Sequence, residues 1–170
     1  MFAKNSLISV CENPEALIEQ IPDASLTASS VWRNATNLGP IRSRLTTLDD
    51  ESGHGGWSSW QVDTNQWIQA DFSTIKTIFK VATKGRNEMS NSYSQWVTKY
   101  QLKYALSSIE TDFEYVTSSP ASTNAVTFIA NSDRDSVVEN EFVKIDARFL
   151  RLCPIEWYGH ISLRWEAYGC

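Results

Sequence analysis

The chain's two histidines, His54 and His160, are its only imidazoles. Neither accompanies a serine in the tight glycine-flanked turn that exposes a nucleophile, so no nucleophile–base arrangement can be read from them. Glu156, or the run Asp49-Asp50-Glu51, could supply a carboxylate pair of the kind glycosidases use. Such spacing is common, however, and an acidic run is ordinarily a solvated face. No catalytic residue is therefore assigned, and enzymatic activity is not expected. The same acidic run offers the hard oxygen donors that calcium takes, without the spacing of an EF-hand loop. No cofactor is expected, and calcium is the one metal these residues could hold.

Binding chemistry is better represented. Three segments carry large or versatile side chains where turn chemistry would ask only for small polar ones. Residues 31–40 hold Trp32, Arg33, Asn34 and Leu38; residues 46–60 hold His54; residues 84–96 hold Arg86, Asn87, Met89 and Tyr93. These nine form the candidate ligand-binding set. An indole can stack on the apolar face of a sugar, enter a lipid interface or anchor a protein contact. A guanidinium grips carboxylates, phosphates or hydroxyls.

The elements that would position these loops read as strands. Ile161, Leu163, Trp165 and Ala167 alternate with Ser162, Arg164, Glu166 and Tyr168, predicting a strand with one face on a core and one toward water. Ile68, Ala70 and Phe72, and later Tyr100, Leu102 and Tyr104, show the same alternation. Residues 77–82, 113–117, 125–130, 141–145 and 147–154 add further strands between Ser, Asn, Asp and Gly clusters, and Arg42 and Arg44 alternate within a strand-like run. Pro14 and Pro22 limit any helix near the start. Many short strands and no helix of useful length point to a β-sandwich. At 170 residues and 42% hydrophobic, the chain suffices for one well-filled core. Its net charge of −5 argues against a nucleic-acid-binding surface.

Three cysteines permit one disulfide in any of three pairings. Cys170 follows the last strand and Cys11 precedes the first structured segment, which favours a staple between them and leaves Cys153 as a small buried hydrophobe.

The chain resembles the discoidin family, the C-terminal domain type of coagulation factors five and eight. The likeness runs from Cys11 to Cys170 through Ile21-Pro22-Asp23, Leu26-Thr27-Ala28-Ser29-Ser30, Arg42-Ser43-Arg44-Leu45, Gly56-Trp57, Gln66-Trp67-Ile68-Gln69-Ala70-Asp71-Phe72, Val81-Ala82-Thr83-Lys84-Gly85-Arg86 and Asn131-Ser132-Asp133-Arg134-Asp135. It implies an eight-stranded antiparallel β-sandwich, a discoidin-type jelly-roll barrel, over residues 11–170, with residues 1–10 as an N-terminal extension. It also implies non-catalytic binding through loops at one end, some members holding calcium there. Trp57 matches a tryptophan expected to pack beneath the loops, Trp67 and Trp165 are expected in the core, and Arg42 and Arg44 match paired arginines expected in structural hydrogen bonds.

Members of the family bind glycans, collagen, protein receptors or anionic phospholipid, so fold alone does not choose the ligand. The aromatic and polar set favours a cell-surface glycan or protein receptor. Anionic phospholipid such as phosphatidylserine is the alternative, disfavoured because the second loop is acidic. A disulfide implies an oxidising, extracellular setting. Residues 1–10 lack a leader pattern, so the chain is expected to be a domain of a longer secreted or membrane-anchored protein, or else an intracellular lectin-like chain with reduced cysteines. The sequon Asn34-Ala35-Thr36 favours the extracellular reading.

Overall fold

In the computed structural model, residues 11–170 apart from Asn91 are described. The expected extension at residues 1–10 lies outside them. The described residues form nine antiparallel strand segments joined by turns and short 3-10 helices: β1 (Glu15–Ala16), β2 (Leu26–Ala28), β3 (Trp57–Ser58), β4 (Ile68–Lys84), β5 (Trp96–Ala105), β6 (Glu114–Tyr115), β7 (Phe128–Ile129), β8 (Val138–Tyr158) and β9 (Ser162–Gly169). β4 and β8 are long enough to serve both layers of a sandwich. Their first pairing joins Ile68–Asp71 to Phe149–Leu152, between β2 and β5. After a register break between Asp71 and Lys76, β4 pairs with the opening half of β8 on one side and with β9 on the other.

Alternation and bulges explain the core. In β5, Tyr100 and Leu102 point inward and Lys99, Gln101 and Lys103 outward, but Val97 is buried three positions before Tyr100. The register against β8 shifts at this point, as an extra residue in one strand requires. In β4 the inward residues step from Ile78 to Val81 across a similar irregularity. These side chains meet Leu150, Leu152, Trp57, Trp165 and Ala167 in one continuous hydrophobic cluster.

Three expectations change. The strand expected around Arg42 and Arg44 is a 3-10 helix, Pro40–Ser43, entered through Pro40, whose fixed φ suits a first helical position. Trp67 lies outside the core. It is half-buried on the outer sheet face, with the Arg151 guanidinium 4.2 Å from its ring and 3.7 Å from that of Phe113. Finally, the second face of β9 does not meet water. Arg164 and Glu166 are 1% and 2% exposed, because loops from elsewhere in the chain cover them. The Glu166 carboxylate accepts the N–H groups of Ile18 at 2.5 Å, Glu19 at 3.0 Å and Ala167 at 2.8 Å, which docks the N-terminal arm.

Cys11 and Cys170 are joined, with Cα atoms 5.8 Å apart. Cys153 is free and buried, and burial pushes its thiol up to about 11. Among the described residues no helix is long and apolar enough to cross a membrane.

On the outer sheet face Arg148 grips the Asp71 carboxylate with two hydrogen bonds, at 2.8 and 2.9 Å. These bonds, with the Ser73 N–H, hold the Asp71 pKa below its usual value against the opposing effect of burial. A depressed folded-state pKa gives stability that is complete above the unfolded value, about 4, and lost as pH falls through the folded value. Denaturant midpoints followed from neutral pH into the acid range should therefore fall less steeply below about pH 4 for Asp71→Asn than for the parent chain. Parallel acid limbs would contradict this.

Candidate functional site

Backbone ties bring the three loops together at one end of the sandwich. Residues 31–40 turn twice through 3-10 helices, Trp32–Asn34 and Thr36–Leu38. Arg33 and Asn34 take positive φ values of 50° and 54°. The second loop hangs on the first through His54 N–H to Asn37 O, at 2.9 Å. Arg42 fastens it from behind, donating to His54 O at 2.8 Å, Gly53 O at 2.8 Å and Leu48 O at 2.5 Å. Arg44 donates to Ile21 O at 2.6 Å. Both arginines thus serve structural hydrogen bonds, as expected. Asn87 N–H donates to Gly55 O at 2.7 Å, tying the third loop to the second. A Cβ at Gly55 would sit 2.6 Å from Asn87 O, so this approach requires glycine.

The loops enclose a cavity of about 230 Å³ lined by Trp32, Leu38, His54, Ser58, Arg86, Tyr93, Gln95 and His160. Its floor is a hydrogen-bonded chain. Arg86 Nη1 donates to Gln95 Oε1 at 3.1 Å, Ser162 Oγ donates to the same oxygen at 3.0 Å, and Ser58 Oγ lies 2.5 Å from Ser162 Oγ. Tyr93 covers the Arg86 guanidinium at 5.2 Å. Burial lowers the Arg86 pKa, opposed by the charges of Glu88 and Asp49, but an arginine stays charged under any physiological condition. Its buried Nε has no hydrogen-bond partner among the described residues. One wall is aromatic: the Trp32 ring lies 5.2 Å from Trp60 and 5.2 Å from His160, the latter edge-on. His160 Nε2 sits 2.8 Å from Ser59 O, and His54 Nδ1 lies 3.3 Å from Asp49 Oδ1.

Five of the nine candidate residues, Trp32, Leu38, His54, Arg86 and Tyr93, therefore share one cavity. The other four lie outside its lining. The Asn87 side chain ties loops together, accepting from Asp49 N–H at 2.9 Å and donating to Asp135 Oδ1 at 3.0 Å. Arg33 turns back over the Trp32 ring at 5.6 Å, Asn34 is exposed, and Met89 projects outward with 76% of its surface exposed. Asp49 and Asp50 are engaged by backbone N–H groups and by Arg42. Asp49 Oδ2 accepts Met89 N–H, and Asp50 Oδ1 accepts from Ser52, Gly53 and Arg42. Among the described residues no three His, Cys, Asp or Glu side chains gather to hold a metal.

Sequence reasoning missed Ser58, Gln95 and His160. His160 sits in the turn between β8 and β9, and the pairing of Tyr158 with Trp96, which only the structure reveals, carries that turn to the third loop.

Residues 25–167 match the F5/8 type C domain family. The chain is 30% identical to mouse retinoschisin over 161 residues, covering 94% of this chain and 61% of that protein. It is 37% identical to discoidin-2 of Dictyostelium discoideum over 118 residues, covering 69% of this chain and 41% of that one. The solved structure of wild-type discoidin II from the same organism superposes with a TM-score of 0.71 at 31% identity, over 85% of this chain and 53% of that one. The chain thus spans between about two-fifths and three-fifths of these relatives' length.

Proposed function

The chain belongs to the F5/8 type C family, and from that premise we propose that it is a non-catalytic, extracellular recognition module that binds a cell-surface glycan through the cavity at its loop end. The observation that carries this reading is the pairing of an aromatic wall, Trp32 beside His160, with a polar floor, Arg86 to Gln95, in a space of about 230 Å³. Drug-sized ligands occupy roughly 300–1,000 Å³, so this cavity suits a single ring bearing hydroxyls. The Arg86 guanidinium brings a charged group to the cavity lining, suited to ligand hydroxyls. The disulfide between Cys11 and Cys170 supports an oxidising location.

A glycan array probed with the isolated chain tests the reading directly. Trp32→Ala should weaken binding to the array hits by ~1–3 kcal/mol, as losing an interface anchor does, with little change in melting temperature. Arg86 is a poorer probe: it is 5% exposed and bonded to Gln95, so its removal should lower stability as well. Unchanged affinity in Trp32→Ala would move the site elsewhere.

Leu48 and Met89 favour a second reading, docking on anionic phospholipid. Both are exposed, and the Asp49 contact to Met89 N–H brings their loops together. The adjoining carboxylates oppose it. Sedimentation with phosphatidylserine vesicles that falls steeply with salt would support the lipid reading over the glycan one.

A further inference from the structure

Asn34 belongs by residue type to the candidate ligand set, yet it lies outside the cavity lining and is exposed. We propose that Asn34 is an N-glycan acceptor and that the sugar it carries stands at the Trp32 side of the cavity mouth.

Four observations converge on this. Asn34-Ala35-Thr36 is an acceptor triplet with a permissive middle residue. Asn34 and Thr36 are both exposed, so the carboxamide and the hydroxyl two positions on, which the transferase reads together, are open to solvent. The triplet sits on a surface turn closed by Asn34 N–H to Val31 O at 3.0 Å and Ala35 N–H to Trp32 O at 2.9 Å, with no regular strand to unpair. The Cys11–Cys170 bond supports folding in an oxidising compartment, where such transfer occurs.

The chemistry balances without redox. The Asn34 Nδ2 attacks the anomeric carbon of a lipid-pyrophosphoryl oligosaccharide. The carbon–oxygen bond to pyrophosphate breaks, the carbon–nitrogen bond forms, one amide proton is released, and the lipid pyrophosphate leaves. The transferase is external to this chain.

Position gives the modification its consequence. Asn34 shares its turn with Trp32, whose ring lines the cavity and meets Trp60 and His160. A branched, hydrated sugar on this turn covers the indole edge. Under the glycan-binding reading above, it would narrow which ligands enter; occupancy and shielding themselves do not depend on that reading.

The test secretes the full chain from eukaryotic cells behind a leader. Intact-mass analysis should show a glycoform that collapses to one mass with peptide N-glycosidase, which leaves an aspartate at the former acceptor position in the tryptic peptide. Asn34→Gln and Thr36→Ala should both abolish it, and Thr36→Ser should retain it. Folded, disulfide-bonded secreted material lacking any glycan would overturn the proposal. Hydroxyl-radical footprinting of glycosylated protein and of protein trimmed to one sugar reads the second half without any ligand. Trp32 labelling should rise severalfold on trimming while Trp157, on β8, stays constant. Equal Trp32 labelling would overturn the shielding role.

Discussion

Arg164→Met should destabilise the chain by about 3 kcal/mol, the upper cost of leaving a buried hydrogen-bonding group unsatisfied, since the Asp135 carboxylate left behind is partly solvated. Arg164 stands in the middle of β9, 1% exposed, and makes four hydrogen bonds: to Gly85 O at 2.8 Å, Thr47 O at 3.0 Å, Arg134 O at 2.7 Å and Asp135 Oδ1 at 2.9 Å. Methionine keeps much of the stem volume, so cavity formation is minor and the loss reports the bonds. Gly85 O loses a charge-assisted donor at a buried site, and Thr47 O and Arg134 O lose theirs at partly buried ones. Lysine should recover little, because one ammonium cannot span carbonyls from three separate loops. Urea titration measures the effect, as a lower midpoint with unchanged slope. A loss below about 1 kcal/mol would mean that the loops hold their positions without Arg164.

This residue also links stability to the candidate site. Gly85 immediately precedes Arg86, and Thr47 lies at the start of the loop that carries His54. Asp135, the fourth partner, accepts from Asn87 as well. Although burial works against it, the bonds from Asn87 and Arg164 keep the Asp135 carboxyl below its ordinary pKa, so the carboxylate stays charged as the network requires. Arg164→Met should therefore loosen two cavity walls together and weaken the proposed glycan binding even where the chain remains folded. Trp32→Ala, in contrast, removes a wall without disturbing its supports.

The sequence made some of this legible and concealed the rest for a physical reason. Period-2 alternation reports what lies on each side of a strand's own sheet, and it placed Tyr100 and Leu102 in the core and Lys99, Gln101 and Lys103 outside. It fails for β9, where Arg164 and Glu166 look like solvent-facing residues. What covers them arrives from residues 17–19, 47, 85 and 134–135, all remote in sequence. Polar type then signals satisfied burial rather than exposure. The same limit applies to Trp67. A tryptophan beside a strand reads as core until the structure shows Arg151 stacked on it across the outer face. Loop chemistry was more readable, since large aromatic and cationic residues in turn-rich segments need a reason. Trp32, His54, Arg86 and Tyr93 do line one cavity, with Leu38 beside them. The outward-facing Met89 and the loop-tying Asn87 show that residue type alone does not say which way a loop side chain points.

The second large effect concerns the closure of the chain. Replacing Cys11 and Cys170 together by serine should cost ~2–5 kcal/mol, near the upper part of that range because the bond closes a span of 159 residues. The double replacement matters, since a single variant would leave a thiol able to pair wrongly. Cys153 should stay out of exchange in either case, being buried and with its thiol pushed up to about 11. Loss should begin at the N-terminal arm. β1 contributes only two residues against β9, and beyond it the arm is held by Leu17 N–H to Ala167 O and by the Glu166 carboxylate. With the disulfide intact, these contacts form at high effective concentration; without it, the arm must find β9 by itself. Hydrogen exchange separates the possibilities. Faster exchange at Leu17, Ile18 and Glu19 than at Tyr100 and Leu102 in the double variant would show the arm leaving a surviving sandwich. Uniform acceleration at all five amides would instead show that the bond stabilises the whole sandwich by constraining the unfolded chain, with the arm docked firmly by its own contacts.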